Sequence, residues 1–167
     1  TDVENNWIGM ARDLPGSARP NATGIELVRG NAIRIGGASA ALGNTISGNA
    51  GRGIETPAGS LLLDATLIEN NIIGLNPARS AALGNGGDGI TIRAGANATT
   101  IRGNVIGANG GHGVLLDGGG TSTVEGNVIG LRGAANTAND NSASGNAQAG
   151  IWVNNSTGNA LVGNRIA

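Results

Sequence analysis

The side chains of this 167-residue chain that have the chemistry to act on a ligand are few: six Asp and five Glu, ten Arg, one His and two Trp. Carboxylates converging with an arginine are what acid–base attack on an acidic polysaccharide requires. Glu4, Glu69 and Glu125 recur at one position of a repeated segment, Val/Ile-Glu-Asn/Gly, and Arg102 takes the same position in Ile101-Arg102-Gly103. Charges alternating in sign along an exposed column read as mutual pairing and solubility, so no catalytic dyad is expected there. Asp88 and Asp117 sit beside turn glycines, where Asp supports the backbone, and calcium needs about six to eight oxygen ligands. His112 stands without a second His or any Cys, which leaves no transition-metal set, and no metal or cofactor is expected. Trp7 and Trp152 are the only aromatics and the candidate contacts for a glycan or protein partner. Trp152 alternates between Ile151 and Val153 and is expected to point outward, either open for binding or covered by the connection Leu131 to Ala149.

Composition narrows what can position these groups. Aromatics make up 1% of the chain, with no Phe or Tyr, so a core must come from many similar aliphatic residues in register. Glycine reaches 32 residues, but four prolines and no three-residue period exclude collagen. A net charge of -1 gives no electrostatic case for nucleic acid, and no apolar run is long enough for a transmembrane helix. The chain has no cysteine and no recognisable signal peptide.

Self-similarity supplies the positioning elements. Asn-x-Ile followed by a small residue occurs at Asn6, Asn44, Asn71, Asn104, Asn127 and Asn164. Alternating with it is Gly plus a segment that opens on a β-branched residue and alternates, beginning at Gly24, Gly53, Gly89, Gly113 and Gly150. A third short segment precedes each Asn: Val3-Glu4, Ala41-Leu42, Ile68-Glu69, Ile101-Arg102, Val124-Glu125 and Leu161-Val162. The pattern predicts an all-β, right-handed parallel β-helix, a solenoid of about five coils with three short strands per coil. It forms a single domain over residues 1–167. Ile8, Ile46, Ile73, Ile106, Ile129 and Ile166 should stack in one inward column; Ile25, Ile54, Ile90, Val114 and Ile151 should form another.

The six Asn residues are expected to form a hydrogen-bonded ladder at a corner, with a left-handed backbone that Asn tolerates. The glycines of the second landmark are expected at the opposite corner, where φ is positive or backbones come close. From each Asn to the next of these glycines the separations are 18, 9, 18, 9 and 23 residues. Long and short connections therefore alternate, and the long ones (Met10 to Thr23, Leu75 to Asp88, Leu131 to Ala149) share one corner. They serve either as a working face or as tolerated insertions.

Asn44-Thr45-Ile46-Ser47-Gly48-Asn49 followed by Gly53-Ile54, and Asn71-Ile72-Ile73-Gly74 followed by Ala81 to Ile90, resemble the right-handed β-helix repeats of large exported bacterial surface proteins. The resemblance spans essentially the whole chain. That architecture, shared with pectate-lyase-like enzymes, epimerases, tailspikes and adhesins, implies carbohydrate-facing or surface roles. The expectation is a non-enzymatic extracellular stalk, fibre or adhesive segment of a bacterial surface protein. Its alternative is a carbohydrate-active enzyme, which would need acids and an Arg gathered in one groove, and the sequence shows no such column. An ice-binding array would need outward Thr66, Thr100 and Thr123. The chain starts and stops on the same element without caps, which suggests a segment of a longer solenoid or a filament protomer. Expected partners are accordingly a second copy stacked end to end or flanking coils, besides a glycan or surface protein; nucleic acid and membrane insertion are not expected.

Overall fold

The computed structural model describes residues 1–14, 16–60, 63–118, 120–131 and 144–167. Each coil contributes one strand to each of three sheets, because the short aliphatic segments alternate with corners that keep the chain from running straight. The first sheet joins β1 (Asp2–Val3), β5 (Arg34–Gly36), β9 (Leu67–Glu69), β13 (Thr99–Arg102), β16 (Ser122–Glu125) and β19 (Ala160–Val162). The second joins β2 (Trp7–Ile8), β6 (Thr45–Ile46), β10 (Ile72–Ile73), β14 (Val105–Ile106), β17 (Val128–Ile129) and β20 (Arg165–Ile166). The third joins β3 (Ile25–Glu26), β7 (Ile54–Glu55), β11 (Ile90–Arg93), β15 (Val114–Asp117) and β18 (Ile151–Asn154). Among the described residues every pairing of strands is parallel.

Two departures from the sequence reading concern strands. Among the described residues three coils carry a further two-residue strand, β4 (Gly30–Asn31), β8 (Leu63–Asp64) and β12 (Ala96–Asn97), which pair as a small fourth sheet. In the second coil the strand before the Asn is Arg34–Gly36, not Ala41-Leu42-Gly43; Ala40–Leu42 forms a single 3-10 turn. Burial decides this: Ile35 pairs with Val3 and Ile68 and is fully buried, whereas Leu42 is exposed.

The core is the expected set of aliphatic columns. Ile46, Ile73, Ile106 and Ile129 are all fully buried, as are Ile54, Ile90 and Val114, and Ile35, Ile68, Ile101 and Val124. Each such side chain contributes roughly 1.5–3 kcal/mol by leaving water, and the strict register lets residues of one shape repeat without aromatic bulk. A satellite cluster of Leu75, Val105, Val128 and Leu131 lies apart from the interior columns. Leu75 and Leu131 open two of the long connections, so these connections add apolar cover as well as length.

The Asn corner works differently from the expectation, while the glycine corner shows the expected close approach of backbones. The left-handed residue is the one before each ladder Asn: Asn5, Asn70, Gly103, Gly126 and Gly163 have φ between 54° and 62°. Gly43 in the second coil is extended instead, closing the 3-10 turn. At the other corner Gly53, Gly89 and Gly113 do not have positive φ; they are glycine because coils meet there. A Cβ on Gly113 would lie 2.5 Å from the Gly150 carbonyl oxygen, and one on Gly89 2.7 Å from that of Gly113.

Candidate functional site

The Asn ladder runs the length of the stack. The Nδ2 of Asn6, Asn44, Asn71, Asn104 and Asn127 each donates to the Oδ1 of the next ladder Asn, ending at Asn164, at 2.9–3.0 Å. From Asn44 onward each Nδ2 also donates to a backbone carbonyl of the preceding coil. The backbone N–H of Asn71 donates to the same Asn104 Oδ1 that its side chain uses. Asn44, Asn71, Asn104 and Asn127 are buried, and this complete pairing is what makes their burial tolerable.

A second ladder was not anticipated. Asn21, Asn49, Asn85, Asn109 and Asn146 pass Nδ2-to-Oδ1 hydrogen bonds of 2.8–3.0 Å from coil to coil. Its signal was in plain view, an Asn four residues before the Gly of Gly-Ile or Gly-Val (three before Gly24). The two ladders bracket the variable corner. Asn44–Asn49 and Asn104–Asn109 are five residues apart, while Asn6–Asn21, Asn71–Asn85 and Asn127–Asn146 are 15, 14 and 19 apart. All length variation between the Asn and the Gly landmarks thus falls between two fixed rungs, apart from the one-residue difference at Gly24. Met10–Ala18 and Leu75–Ala82 bridges close the first two long connections as antiparallel pairs. Residues 132–143 of the third lie outside the described residues.

Charged side chains gather on two faces. On the first sheet Glu69 is buried rather than exposed, held by Arg102 at 2.8 Å and 3.0 Å, with Arg34 at 3.9 Å. Arg34 also reaches Asp2 and Glu4. Arg102 pairs in register with both Glu69 and Glu125, so the alternation seen in the sequence is a cross-coil pairing.

The outer face of the third sheet corrects a second expectation, because acids and arginines do converge there. Glu26, Glu55, Thr91, Leu115 and Trp152 form one column by register. Arg52 reaches Glu55 at 3.0 Å and Asp88 at 3.1 Å, and Arg93 reaches Glu55 at 3.3 Å and Asp117 at 3.9 Å. Sequence reading missed this because Arg52 and Asp88 sit on corners flanking Gly-Ile, outside the strands whose columns it compared. Asp88 accepts hydrogen bonds from Thr91 Oγ1 and from the backbone N–H of His112. Burial, the largest single influence, pushes the Asp88 carboxyl pKa up; the His112 amide, Thr91, and the hydrogen bond and charge of Arg52 together outweigh it and hold the pKa below the usual value. Such a carboxylate is kept ionised, the opposite of a poised general acid.

His112 Nδ1 accepts the Ala149 amide at 3.2 Å, and its ring lies 4.6 Å from that of Trp152 at a tilt of 41°. Trp152 is 45% exposed; the part of the Leu131 to Ala149 connection expected to cover it falls largely outside the described residues. Trp7, 39% exposed, lines a hollow of about 430 Å³ with Asn5, Asn6, Met10 and Arg12. Thr66 faces inward with Thr99 and is buried, so Thr66, Thr100 and Thr123 make no common outward array; Thr100 and Thr123 alone are in register. Among the described residues no group of three or more His, Asp or Glu is placed to hold a metal ion, and no helix is long and apolar enough to cross a membrane.

A family model described as a right-handed β-helix region matches residues 19–166. The chain belongs to the right-handed β-helix family. Neither the curated proteins nor the solved structures include a match to it. As a right-handed β-helix protein it shares its architecture with pectate-lyase-like proteins, and membership fixes the handedness of the coil path through the sheets.

Proposed function

We propose that this β-helix is a rigid structural and adhesive segment of an exported bacterial surface protein, with no catalysis of its own. The observation that carries the reading is how fully its polar groups are used for cohesion. Two Asn ladders and two cross-coil ion-pair networks tie each coil to the next. Glu55, Asp88 and Glu69 are each engaged by arginine within these networks. For the exposed apolar residues Leu161, Val162 and Ile166 the partner proposed is another stretch of the same repeat, from flanking coils or a second copy. Incubating the purified chain with polygalacturonate, alginate and neutral polysaccharides should release no reducing ends or unsaturated products. Labelling of intact source cells with a membrane-impermeant reagent should reach the chain.

The second reading, a carbohydrate-active enzyme acting on acidic polysaccharide, is favoured by the Glu55, Asp88, Arg52 and Arg93 cluster alone. Turnover abolished by Glu55→Gln in a folded protein would establish it and overturn the first.

A further inference from the structure

We infer that Asn85-Gly86 and Asn109-Gly110 are latent deamidation sites, sealed while the second ladder is intact and opened when the coils separate. Asn followed by Gly is the step most prone to this reaction, because a residue without Cβ lets its amide nitrogen approach the preceding side chain. The chain holds two such steps, and both fall on rungs of the second ladder, whereas Asn21, Asn49 and Asn146 precede Ala. Packing demands the glycines: a Cβ on Gly86 would run into the Ala50 carbonyl oxygen, and one on Gly110 into that of Gly86. The ladder demands the asparagines, so the fold itself assembles the labile pair twice.

The reaction joins the Gly backbone nitrogen to the Asn Cγ and breaks the Cγ–Nδ2 bond, the side-chain nitrogen leaving as ammonia with the proton of the Gly amide. Water then opens the cyclic imide at either carbonyl, giving aspartate or isoaspartate. In the closed stack both nitrogens are engaged. Gly86 N–H donates to Asn49 O at 2.9 Å and Gly110 N–H to Asn85 O at 2.8 Å. Asn85 Nδ2 donates to Ile46 O at 3.0 Å and to Asn109 Oδ1 at 2.9 Å, and Asn109 Nδ2 donates to Asn146 Oδ1 at 3.0 Å. Asn85 and Asn109 are each 1% exposed, while Gly86 and Gly110 are open to the water that takes the amide proton and opens the imide. Hydrogen bonding and packing are thus what hold the reaction back.

The product is not a rung. A carboxylate at position 85 has no hydrogen to donate to Ile46 O or Asn109 Oδ1 and sets its charge against both. Isoaspartate also lengthens the main chain where Gly86 must meet Asn49 O. A coil that has opened long enough to react is prevented from closing, and a reversible separation becomes permanent. The assignment needs only the second ladder, so it is independent of whether the chain is exported.

Peptide mapping by mass spectrometry tests it, on the whole chain held in mildly alkaline buffer with and without urea. In urea Asn85 and Asn109 should convert at least tenfold faster than Asn49; in the folded chain they should convert at least a hundredfold more slowly than in urea. Ile73→Ala leaves every ladder residue in place and hollows the fully buried core beside them. It should speed conversion of Asn85 and Asn109 by the same factor as amide exchange at Gly86 and Gly110. Ile73→Val, a smaller cut, serves as the readout if the alanine variant does not fold. Chain deamidated in urea and returned to buffer should refold to a lower denaturation midpoint than chain passed briefly through urea. Equal conversion with and without urea, exchange that quickens without conversion, or full recovery of the midpoint by the deamidated chain would each overturn the assignment.

Discussion

At the residue scale the ladder asparagines differ from ordinary corner residues in how much depends on them. Asn85 Oδ1 accepts from both the backbone N–H and Nδ2 of Asn49, and its own Nδ2 donates to Ile46 O and Asn109 Oδ1. Replacing it with Leu, similar in volume, strands several buried polar groups, each costing about 1–3 kcal/mol. Asn85→Leu should therefore destabilise the fold by roughly 3–5 kcal/mol, as much as Asn104→Leu in the first ladder. Chemical denaturation of both variants checks this, and a loss below about 1 kcal/mol for either would count against its ladder. Asp88 gives a pH signature. Its folded pKa lies below the unfolded value of about 3.9, so its contribution is complete above that value and fades as pH falls through the folded pKa. Thermal melts from pH 6 down to about pH 2 should show a steep acid loss that Asp88→Asn flattens. An unchanged slope in the variant would show that other carboxylates carry it.

At the element scale the corner between the two Asn rungs is where the fold accepts length. Deleting residues 75–83 joins Gly74 to Gly84 and restores the five-residue spacing of Asn44–Asn49. Both ladders keep their rungs, so the variant should fold with an unchanged circular dichroism spectrum. It also loses the fully buried Leu75 and with it part of the cover over Val105 and Val128. The expected cost is about 1.5–3 kcal/mol from that side chain, read as a lower denaturation midpoint. Failure to fold would mean that the connection is part of the framework rather than an insertion on it. The apolar residue that opens each long connection, Met10, Leu75 or Leu131, is buried in every case, which settles at least this part of the loops as structural.

At the scale of the whole molecule each coil touches only its neighbours, and stability follows position along the stack. Ile46, Ile73, Ile106 and Ile129 are fully buried, while Ile166 in the same column is 51% exposed. Amide exchange should accordingly be slowest in β10, β11, β13 and β14 and fastest in β1, β2, β19 and β20. Uniform protection from β1 to β20 would indicate one cooperative unit instead of a nearest-neighbour stack.

The sequence by itself determined the solenoid. Identical aliphatic residues at Ile46, Ile73, Ile106 and Ile129 can be buried together only if the chain returns to the same place once per repeat, and the fixed Asn rung sets where it turns. It also named every member of the first ladder, because those residues share a local motif. What only the tertiary structure decided were relations between coils that no local motif encodes. The strand Arg34–Gly36 competes with Ala41-Leu42-Gly43 for one ladder position, and burial of Ile35 settles the competition. Asn49 and Asn85 become rungs, Glu69 becomes buried, and Arg52 meets Asp88 only after variable connections have brought distant corners into register. Hydrogen bonds and ion pairs act over a few ångströms of space, and along this chain those ångströms separate residues 33 to 36 positions apart.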